Sequence, residues 1–309
     1  MKIVFMGTPQ AAVASLQRCL MDGHEIVAVY TQPDRPAGRG NKIRHSPVKE
    51  FAVENALTVL QPERIKTPDA FDQFAKLGAD IAVVVAYGRI LPESFLDAFP
   101  KGAVNVHFSL LPKYRGAAPV NWAIVHGETV TGVTTMKMDS GLDTGDILLQ
   151  REAEIGDAEN SIELMDRLAI LGAELLSETL SKFDEIIPLR QDHERATYAP
   201  ILKKEDGRFA WTQTSGEIAR RVRGFQPFPG TYTDLRGKKL TIWDAAAMTD
   251  LAEDLRPGDV LEAAGDSLLV ACGENTALLI REIQLEGKRR MSARDFLNGV
   301  HLRPGDRLI

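Results

Sequence analysis

Two polar residues that can stabilise charge and move protons lie close together in an otherwise apolar segment of the 309-residue chain. Asn105 and His107 alternate with Val104 and Val106, so in a β-strand both polar side chains project to the same face. Burying an amide and an imidazole is costly unless they hydrogen-bond or line a cavity. An amide can donate to an oxyanion, and an imidazole exchanges protons near neutral pH. The spacing therefore indicates an active site, with a hydrogen-bonded core histidine as the alternative.

A glycine-flanked aspartate supplies a third candidate. Asp143 lies between Gly141 and Gly145 in a predicted loop between two strands, where a flexible backbone can direct the carboxylate toward a neighbouring strand end. A carboxylate that faces an imidazole orients the ring and favours its charged form. Asn105, His107 and Asp143 together could stabilise an oxyanion and relay protons. The alternative for Asp143 is a turn residue that binds its own backbone.

The elements predicted around these residues form an α/β domain. Short β-rich runs alternate with helical patterns in the order βαβαβ, which predicts a Rossmann-like parallel sheet covered on both faces. Ligands bind at the carboxyl ends of the strands in such sheets, where Asn105 and His107 lie. The predicted strands are 2–6, 26–31, 80–85, 103–107, 131–139 and 146–151, and the predicted helices are 10–20, 68–76, 92–99 and 161–181.

The remainder of the chain predicts a second, smaller domain. Periodicity fades after the last long helix, and we interpret residues 190–207 as a linker between a catalytic domain at 1–189 and a domain at 208–309. Short β-type runs separated by glycine-rich turns predict a small barrel or sandwich. These runs lie at 230–233, 240–243, 259–262, 267–271 and 277–283.

Composition and missing motifs disfavour several classes of protein. The chain has 44% hydrophobic and 26% charged residues and a net charge of −6, which argues against a protein whose whole surface binds nucleic acid. The 2 cysteines and 6 histidines lack metal-ligand spacing, so we expect no metal. The motifs of P-loop NTPases, dinucleotide-binding dehydrogenases and serine hydrolases are absent or incomplete. No apolar run resembles a signal peptide or a membrane span, so we expect a cytoplasmic protein without membrane contact.

The sequence resembles the methionyl-tRNA formyltransferases, within the wider family of 10-formyltetrahydrofolate-dependent formyltransferases, over nearly its whole length. The resemblance rests on Asn-x-His followed by Ser-Leu-Leu-Pro at 105–112 and on Gly-Leu-Asp-Thr-Gly at 141–145; segments 31–40, 46–49 and 114–119 narrow it to the tRNA enzymes. It implies a formyltransferase domain followed by an OB-like β-barrel that binds tRNA. It also implies transfer of a formyl group from 10-formyltetrahydrofolate to the amino group of initiator methionyl-tRNA, without a metal.

The resemblance implies roles for individual residues. Asn105, His107 and Asp143 occupy catalytic positions, while Phe108 stands where the tRNA enzymes often have glycine. The 32–45 loop is similar to an insertion that enters the acceptor end of the tRNA, with Arg35, Arg39, Lys42 and Arg44 as contacts. The folate site would comprise Tyr87, Gly88, Arg89, Ile90, Leu91, Ser109, Leu110, Leu111, Pro112, Asp139, Gly141 and Leu142.

Basic residues elsewhere bear on the choice of substrate. The 32–45 loop is basic and rich in proline and glycine, which predicts a phosphate-binding loop without regular structure; a solvated surface loop is the alternative. Basic clusters at 220–223, 238–239 and 288–290 could contact RNA if they share one face, or could be scattered surface charges. A formyl enzyme acting on a sugar nucleotide or on water, and a nonenzymatic RNA-binding protein, remain alternatives. The expected partners of the monomer are folate and initiator methionyl-tRNA.

Overall fold

A computed structural model describes residues 1–37, 42–249 and 255–308, and gives the backbone alone for 36–37 and 42–43. The chain divides into two compact units. Unit 1 comprises Met1–Pro119, Val130–Glu154 and Met165–Ala199, and unit 2 comprises Val120–Thr129, Ile155–Leu164 and Pro200–Ile309. The domain boundaries expected from the sequence, with a linker at 190–207, stay predictions.

A mixed seven-stranded sheet forms the centre of unit 1, in the order β10-β9-β7-β6-β1-β2-β5. The predicted parallel sheet is confirmed for β2, β1, β6 and β7, and β5, which was not predicted from the sequence, pairs parallel with β2. β9 runs antiparallel to β7, and β10 runs antiparallel to β9. The strands of unit 1 are β1 (Lys2–Gly7), β2 (Glu25–Tyr30), β3 (Arg35–Ala37), β4 (Lys42–Arg44), β5 (Val59–Leu60), β6 (Ile81–Val85), β7 (Ala103–His107), β8 (Arg115–Gly116), β9 (Val130–Lys137), β10 (Ile147–Glu154) and β11 (Tyr198–Ala199).

Helices connect and cover the strands. Side-chain caps start two of them: Ser46 accepts from the Lys49 amide and Thr67 from the Ala70 amide, each followed by a proline suited to the first helical turn. The helix predicted at 92–99 is shorter, because Phe99 leaves it to pack on Phe74 with ring centroids 4.7 Å apart. The helices are α1 (Gln10–Met21), α2 (Pro47–Glu54), α3 (Pro68–Ala75), α4 (Glu93–Leu96), α5 (Pro119–His126), α6 (Ser161–Ser181), α7 (Ser215–Gly224) and α8 (Ala293–Gly299).

Unit 2 is built on a six-stranded antiparallel sheet in the order β12-β13-β16-β15-β14, with β17 on β16. The predicted small β domain is confirmed, although no ladder joins β12 to β14 in the described part of the chain. Helix α7, which the β-type runs did not predict, packs Ile218 and Val222 into this core. The strands are β12 (Thr231–Leu235), β13 (Lys238–Met248), β14 (Val260–Ala264), β15 (Ser267–Ala271), β16 (Ala277–Leu285) and β17 (Met291–Ser292).

Helix α6 lies close to β7, because Gly172 leaves room for the strand's side chains. A Cβ atom at Gly172 would lie 2.9 Å from Cγ1 of Val106 and 3.5 Å from Cε1 of Phe108. Val106 and Phe108 therefore face α6, and the alternation of a strand directs Asn105 and His107 to the opposite face. Among the residues that the structure describes, no helix is both long and apolar enough to cross a membrane.

Candidate active site

His107 is the last residue of β7, at the carboxyl edge of the parallel strands, and its ring is held from two sides. Nε2 lies 2.9 Å from the carbonyl oxygen of Tyr114, and Nδ1 lies 3.8 Å from Oδ2 of Asp143. A carbonyl only accepts, so Nε2 carries a proton and donates it to Tyr114. The side chains of His107 and Asp143 are only 6% and 16% exposed. The structure thus brings together two residues that lie far apart in the sequence.

Asp143 is held so that its carboxylate turns away from its own loop. Its φ is +53°, in the left-handed region that aspartate tolerates, and its Oδ2 accepts from the Gly116 amide at 2.7 Å. The turn itself is capped by Asp139, whose Oδ1 accepts from the Gly141 amide at 3.0 Å and from the Thr144 hydroxyl at 2.7 Å. Asp139, not Asp143, therefore binds the backbone of this turn, and the carboxylate of Asp143 faces His107 instead.

Asn105 supplies an amide without a protein partner beside this pair. It lies in register with Val84 of β6 and Met136 of β9 and is 9% exposed. In the part of the chain that the structure describes, no hydrogen bond uses its side chain. Because a buried amide is costly when unpaired, this group is suited to bind a ligand on the face that it shares with His107.

The segment after β6 offers unpaired backbone groups. Tyr87 is buried, and its carbonyl accepts from Oγ1 of Thr8 at 3.1 Å and from Nε2 of Gln32 at 3.0 Å. The amides and carbonyls of residues 88–91 have no partner within the described residues. The chain leaves β1 for β2 on one side and returns to β6 on the other, and α/β sheets bind ligands at such switch points. These unpaired groups are available to hydrogen-bond a ligand, so the contact of this segment with folate stays a prediction.

The polar groups of the 109–112 segment form hydrogen bonds within their own turn and with β9. Ser109 donates its hydroxyl to the Lys113 carbonyl at 2.7 Å, and the Thr134 hydroxyl donates to the Ser109 carbonyl at 2.6 Å. Leu111 is buried, and its amide donates to Oγ1 of Thr134 at 3.1 Å. These residues shape the turn that follows His107, so their contact with folate remains a prediction. Leu142 and Ile90, by contrast, are exposed.

The predicted tRNA-binding loop contains a short hairpin. β3 pairs with β4 and places Arg35 opposite Arg44, so the expectation that proline and glycine forbid regular structure here is wrong. Proline is tolerated because a two-stranded ribbon leaves one edge of each strand without a partner. Arg35 and Arg44 are exposed. Arg39 lies outside the described residues, and Lys42 is described only as backbone of β4.

Asp34 anchors the base of this hairpin. Its Oδ2 lies 2.9 Å from Nδ1 of His45 and forms an ion pair with Lys49, while its Oδ1 accepts from Nε2 of Gln61 at 2.9 Å. The hydrogen bonds from Lys49 and then Gln61 lower the pKa of Asp34 to about 2. The same Gln61 nitrogen donates to the Gln32 carbonyl at 2.8 Å, so the hairpin base is tied to the sheet.

Two site residues were missed by reasoning from the sequence. Gln191, in the segment interpreted as a linker, donates to the backbone carbonyls of Asp143 and Gly145 at 2.9 and 2.6 Å. Arg115 binds the Gln191 side-chain oxygen at 3.1 Å through Nε and at 2.6 Å through Nη2. The same segment adds β11, which pairs parallel with β8. A polar residue in a polar segment gives no signal of burial, so only the fold could identify Gln191.

The basic clusters of unit 2 are partly used within the protein. Arg221 donates to the carbonyls of Asp206 and Arg208, and Arg223 donates to the Glu159 carbonyl at 2.8 Å. Burial lowers the pKa of both arginines. Lys239 lies 3.9 Å from the ring centre of Tyr232, and Arg290 pairs with Glu282. Exposed cations remain at Lys238, Lys288 and Arg289.

No group of three or more His, Cys, Asp or Glu side chains in the described ranges is arranged to hold a metal ion.

Comparison with known proteins identifies the family. Residues 1–180 match the family model "Formyl transferase", and residues 201–301 match "Formyl transferase, C-terminal domain". The chain is 50% identical to the methionyl-tRNA formyltransferase of Solibacter usitatus and 47% identical to that of Geobacter metallireducens, in both cases over 100% of this chain and 98% of the relative. It is 51% identical to the methionyl-tRNA formyltransferase of Koribacter versatilis, with the same coverage.

Solved structures share the fold at lower identity. An N-formyltransferase from Helicobacter canadensis, in complex with folinic acid and dTDP-3-aminofucose, matches with a TM-score of 0.68 and 19% identity over 91% of this chain and 98% of that chain. Glycinamide ribonucleotide transformylase 1 from Symbiobacterium toebii matches with a TM-score of 0.51 and 20% identity over 62% of this chain and 94% of that chain. With full-length relatives near 50% identity, the chain belongs to the methionyl-tRNA formyltransferase family.

Proposed function

We propose that this protein transfers the formyl group of 10-formyltetrahydrofolate to the α-amino group of methionine esterified to initiator tRNA. The observation that carries the proposal is the pairing of His107 with Asp143, 3.8 Å apart, on the face that Asn105 shares. The full-length similarity to methionyl-tRNA formyltransferases supports the choice of substrates over a sugar nucleotide or water.

Asn105 and His107 stabilise negative charge in this reaction. The folate supplies a formyl carbon attached to a nitrogen that can leave, and attack by the amine develops charge on the formyl oxygen. Because Tyr114 occupies Nε2 of His107, Nδ1 is the nitrogen that faces the reacting groups. A protonated ring and the free amide of Asn105 then act as two donors toward the oxyanion. One such donor is worth about 2.7–4 kcal/mol of transition-state stabilisation.

Asp143 transfers a proton from the attacking amine to the leaving nitrogen. The attacking amine must lose one proton as its bond to carbon forms, and the leaving nitrogen must gain one as its bond breaks. Oδ2 of Asp143 is held by the Gly116 amide and faces His107, while Oδ1 has no partner within the described residues. Oδ1 can therefore accept a proton from the amine, directly or through water, and return it to the leaving nitrogen.

Binding of the two substrates is assigned to different parts of the chain. The unpaired backbone of residues 88–91, the 109–112 turn, and Asp139, Gly141 and Leu142 would hold the folate. The 32–45 loop, with Arg35, Arg39, Lys42 and Arg44, would contact the acceptor end of the tRNA, and residues 208–309 would bind the tRNA backbone. The protein would act as a monomer, without a metal.

A formyl-transfer assay tests the proposal. The purified chain is incubated with 10-formyltetrahydrofolate and with methionine-charged initiator or elongator tRNA, and formylmethionyl-tRNA and free formate are both measured. We expect formylation of the initiator tRNA and little free formate. Formate release without formylation would favour a folate hydrolase instead. Transfer to an amino sugar nucleotide alone would favour a sugar-nucleotide formyltransferase, and the absence of folate binding and turnover would favour a nonenzymatic RNA-binding protein.

A further inference from the structure

A buried amide lies behind the loop that carries Asp143. Gln191 is 4% exposed, and its Nε2 donates to the carbonyl oxygens of Asp143 at 2.9 Å and Gly145 at 2.6 Å. Both hydrogens of the amide are therefore used on one short loop. The two carbonyls lie on either side of Thr144, so the amide fixes the path of the backbone immediately after the Asp143 side chain.

Arg115 fixes which way this amide points. The guanidinium, 2% exposed, donates to Oε1 of Gln191 at 3.1 Å from Nε and at 2.6 Å from Nη2. Nη2 also lies 3.1 Å from Nδ1 of His193. No carboxylate pairs with Arg115 in the described part of the chain. A flipped amide would put its NH₂ group against the guanidinium and its oxygen against two carbonyls, so one orientation is enforced.

Asp143 needs such support because its loop does little to hold it. The residue has a φ of +53° and lies between two glycines. Its carboxylate is held by the amide of Gly116, and its backbone is held by Gln191. Arg115 and Gly116 are consecutive residues of β8. One two-residue strand therefore positions the carboxylate directly and positions the backbone behind it through Gln191.

We infer that Gln191, oriented by Arg115, is a positioning residue for Asp143. The inference rests on the proposed function, since it assigns Gln191 to the step in which Asp143 handles the proton. A displacement of about 1 Å at a reacting group can lower a rate about a hundredfold. Loss of the Gln191 amide should therefore lower kcat while leaving substrate binding unchanged.

Substitution of Gln191 tests this inference. Gln191→Leu removes the hydrogen bonds at both ends of the amide, whereas Gln191→Glu keeps an acceptor for Arg115 and removes the donors to the two carbonyls. We expect kcat for formyl transfer to fall about tenfold to a hundredfold in both variants. The KM values for folate and for tRNA should stay within about twofold of the wild-type values, because the interaction that is lost acts only in the transition state.

Two controls separate positioning from folding. Asn121 also donates its side-chain amide to a backbone carbonyl, that of Gly224 at 2.7 Å, but it lies in unit 2 and outside the residues assigned to substrate binding. Asn121→Leu should retain the wild-type kcat. If Gln191→Leu proves unfolded by circular dichroism, Gln191→Glu still provides the test, because it retains the buried partner of Arg115.

A double-mutant cycle with Asp143→Asn gives the decisive comparison. If Gln191 acts through Asp143, adding Gln191→Glu to Asp143→Asn should lower kcat less than about twofold further. Two results would overturn the inference while the proposed function stands. One is a wild-type kcat in folded Gln191→Glu. The other is that Gln191→Glu lowers kcat by the same factor in the wild-type and Asp143→Asn backgrounds. An inactive wild-type chain would overturn the proposed function and, with it, this inference.

Discussion

At the scale of single residues, the backbone of Tyr114 decides which nitrogen of His107 can take part in the reaction. Tyr114 has a φ of +60°, a conformation that costs a tyrosine free energy, and its amide donates to Oγ1 of Thr197 at 2.8 Å. Held in this way, its carbonyl accepts the Nε2 proton of His107. Nδ1 is then directed toward Asp143. The strained backbone therefore prepares the ring before any substrate binds.

The free amide of Asn105 leads to the first prediction. Asn105→Ala should lower kcat about a hundredfold to a thousandfold, because one of the two oxyanion donors is lost. Circular dichroism should remain that of the wild type. Asn55→Ala, at the exposed end of α2, should retain full turnover in the same assay. Near-normal turnover of Asn105→Ala would remove this residue from the mechanism.

The roles of some site residues could be predicted from the neighbouring sequence, whereas the roles of others could not. Asn105 and His107 were predicted because polar side chains contrast with the apolar strand around them. Gln191 has no such contrast, and its role depends on a hydrogen bond to Asp143 across 48 positions of the chain. Phe108, whose effect on the pocket was open, proved to face α6 rather than the site.

At the scale of elements, Asp34 connects the hairpin to the sheet and makes stability depend on pH. Its pKa is about 2 in the folded protein, against an ordinary value of 3.8. The carboxylate therefore stabilises the fold fully above pH 3.8, and this contribution is lost as the pH falls through about 2.

Asp34→Asn should accordingly destabilise the protein at pH 7, because Lys49 and His45 lose a charged partner. The difference from the wild type should shrink as the pH is lowered through this range. Chemical denaturation at several pH values measures it, with the exposed Asp72→Asn as a control whose stability should change little. A wild-type-to-variant difference that is constant with pH would contradict the assignment.

The pairing of β8 with β11 requires a glycine at position 116. Gly116 has a φ of +119°, and a Cβ there would lie 2.6 Å from the Ala199 carbonyl oxygen. Gly116→Ala should destabilise the fold by about 1–3 kcal/mol from backbone conformation alone, and it should also lower kcat because the Gly116 amide holds Asp143.

Gly78→Ala is the matched control for that substitution. Gly78 also has a positive φ, +61°, but nothing lies within 4 Å of its Cβ position. The change should cost about 1–2 kcal/mol of stability and leave kcat unchanged. Equal kcat values for the two alanine variants would show that Gly116 does not position Asp143.

Helices and strands could be predicted from the sequence where all of their residues share the same degree of burial. The strands of the parallel sheet consist of residues buried on both faces, which produces continuous apolar runs such as that of β6. Helix α7 carried an overlooked signal, the capping box of Thr214 and Glu217 before Ile218. The β3–β4 hairpin could not be predicted, since interactions of Asp34 with Lys49 and Gln61 anchor it from outside the loop.

At the scale of the whole molecule, the distribution of exposed charge determines how the chain, with its net charge of −6, can bind a polyanion such as RNA. Arg221 and Arg223 are committed to carbonyl groups of unit 2. Cations that remain exposed are better suited to bind phosphates. Electrostatic binding by such residues releases counterions from RNA and weakens as salt increases.

Removing the exposed cations Lys238, Lys288 and Arg289 together, by substitution with alanine, should weaken tRNA binding at low salt. The dependence of log Kd on log salt should become less steep, by up to about 0.9 for each phosphate that is no longer neutralised. Filter binding between about 50 and 200 mM salt measures the slope. The control removes three exposed cations of unit 1, namely Arg64, Lys66 and Lys76. Identical slopes for the two triple variants would contradict the assignment.

The rate of a single turnover in His107→Ala tests the central claim most directly. Wild-type and variant enzyme are saturated with 10-formyltetrahydrofolate and initiator methionyl-tRNA, and the appearance of formylmethionyl-tRNA is followed. We predict that the variant binds both substrates but transfers the formyl group at least about a hundredfold more slowly. A variant that transfers the formyl group at the wild-type rate would contradict the assignment of His107 and Asp143 as the catalytic pair.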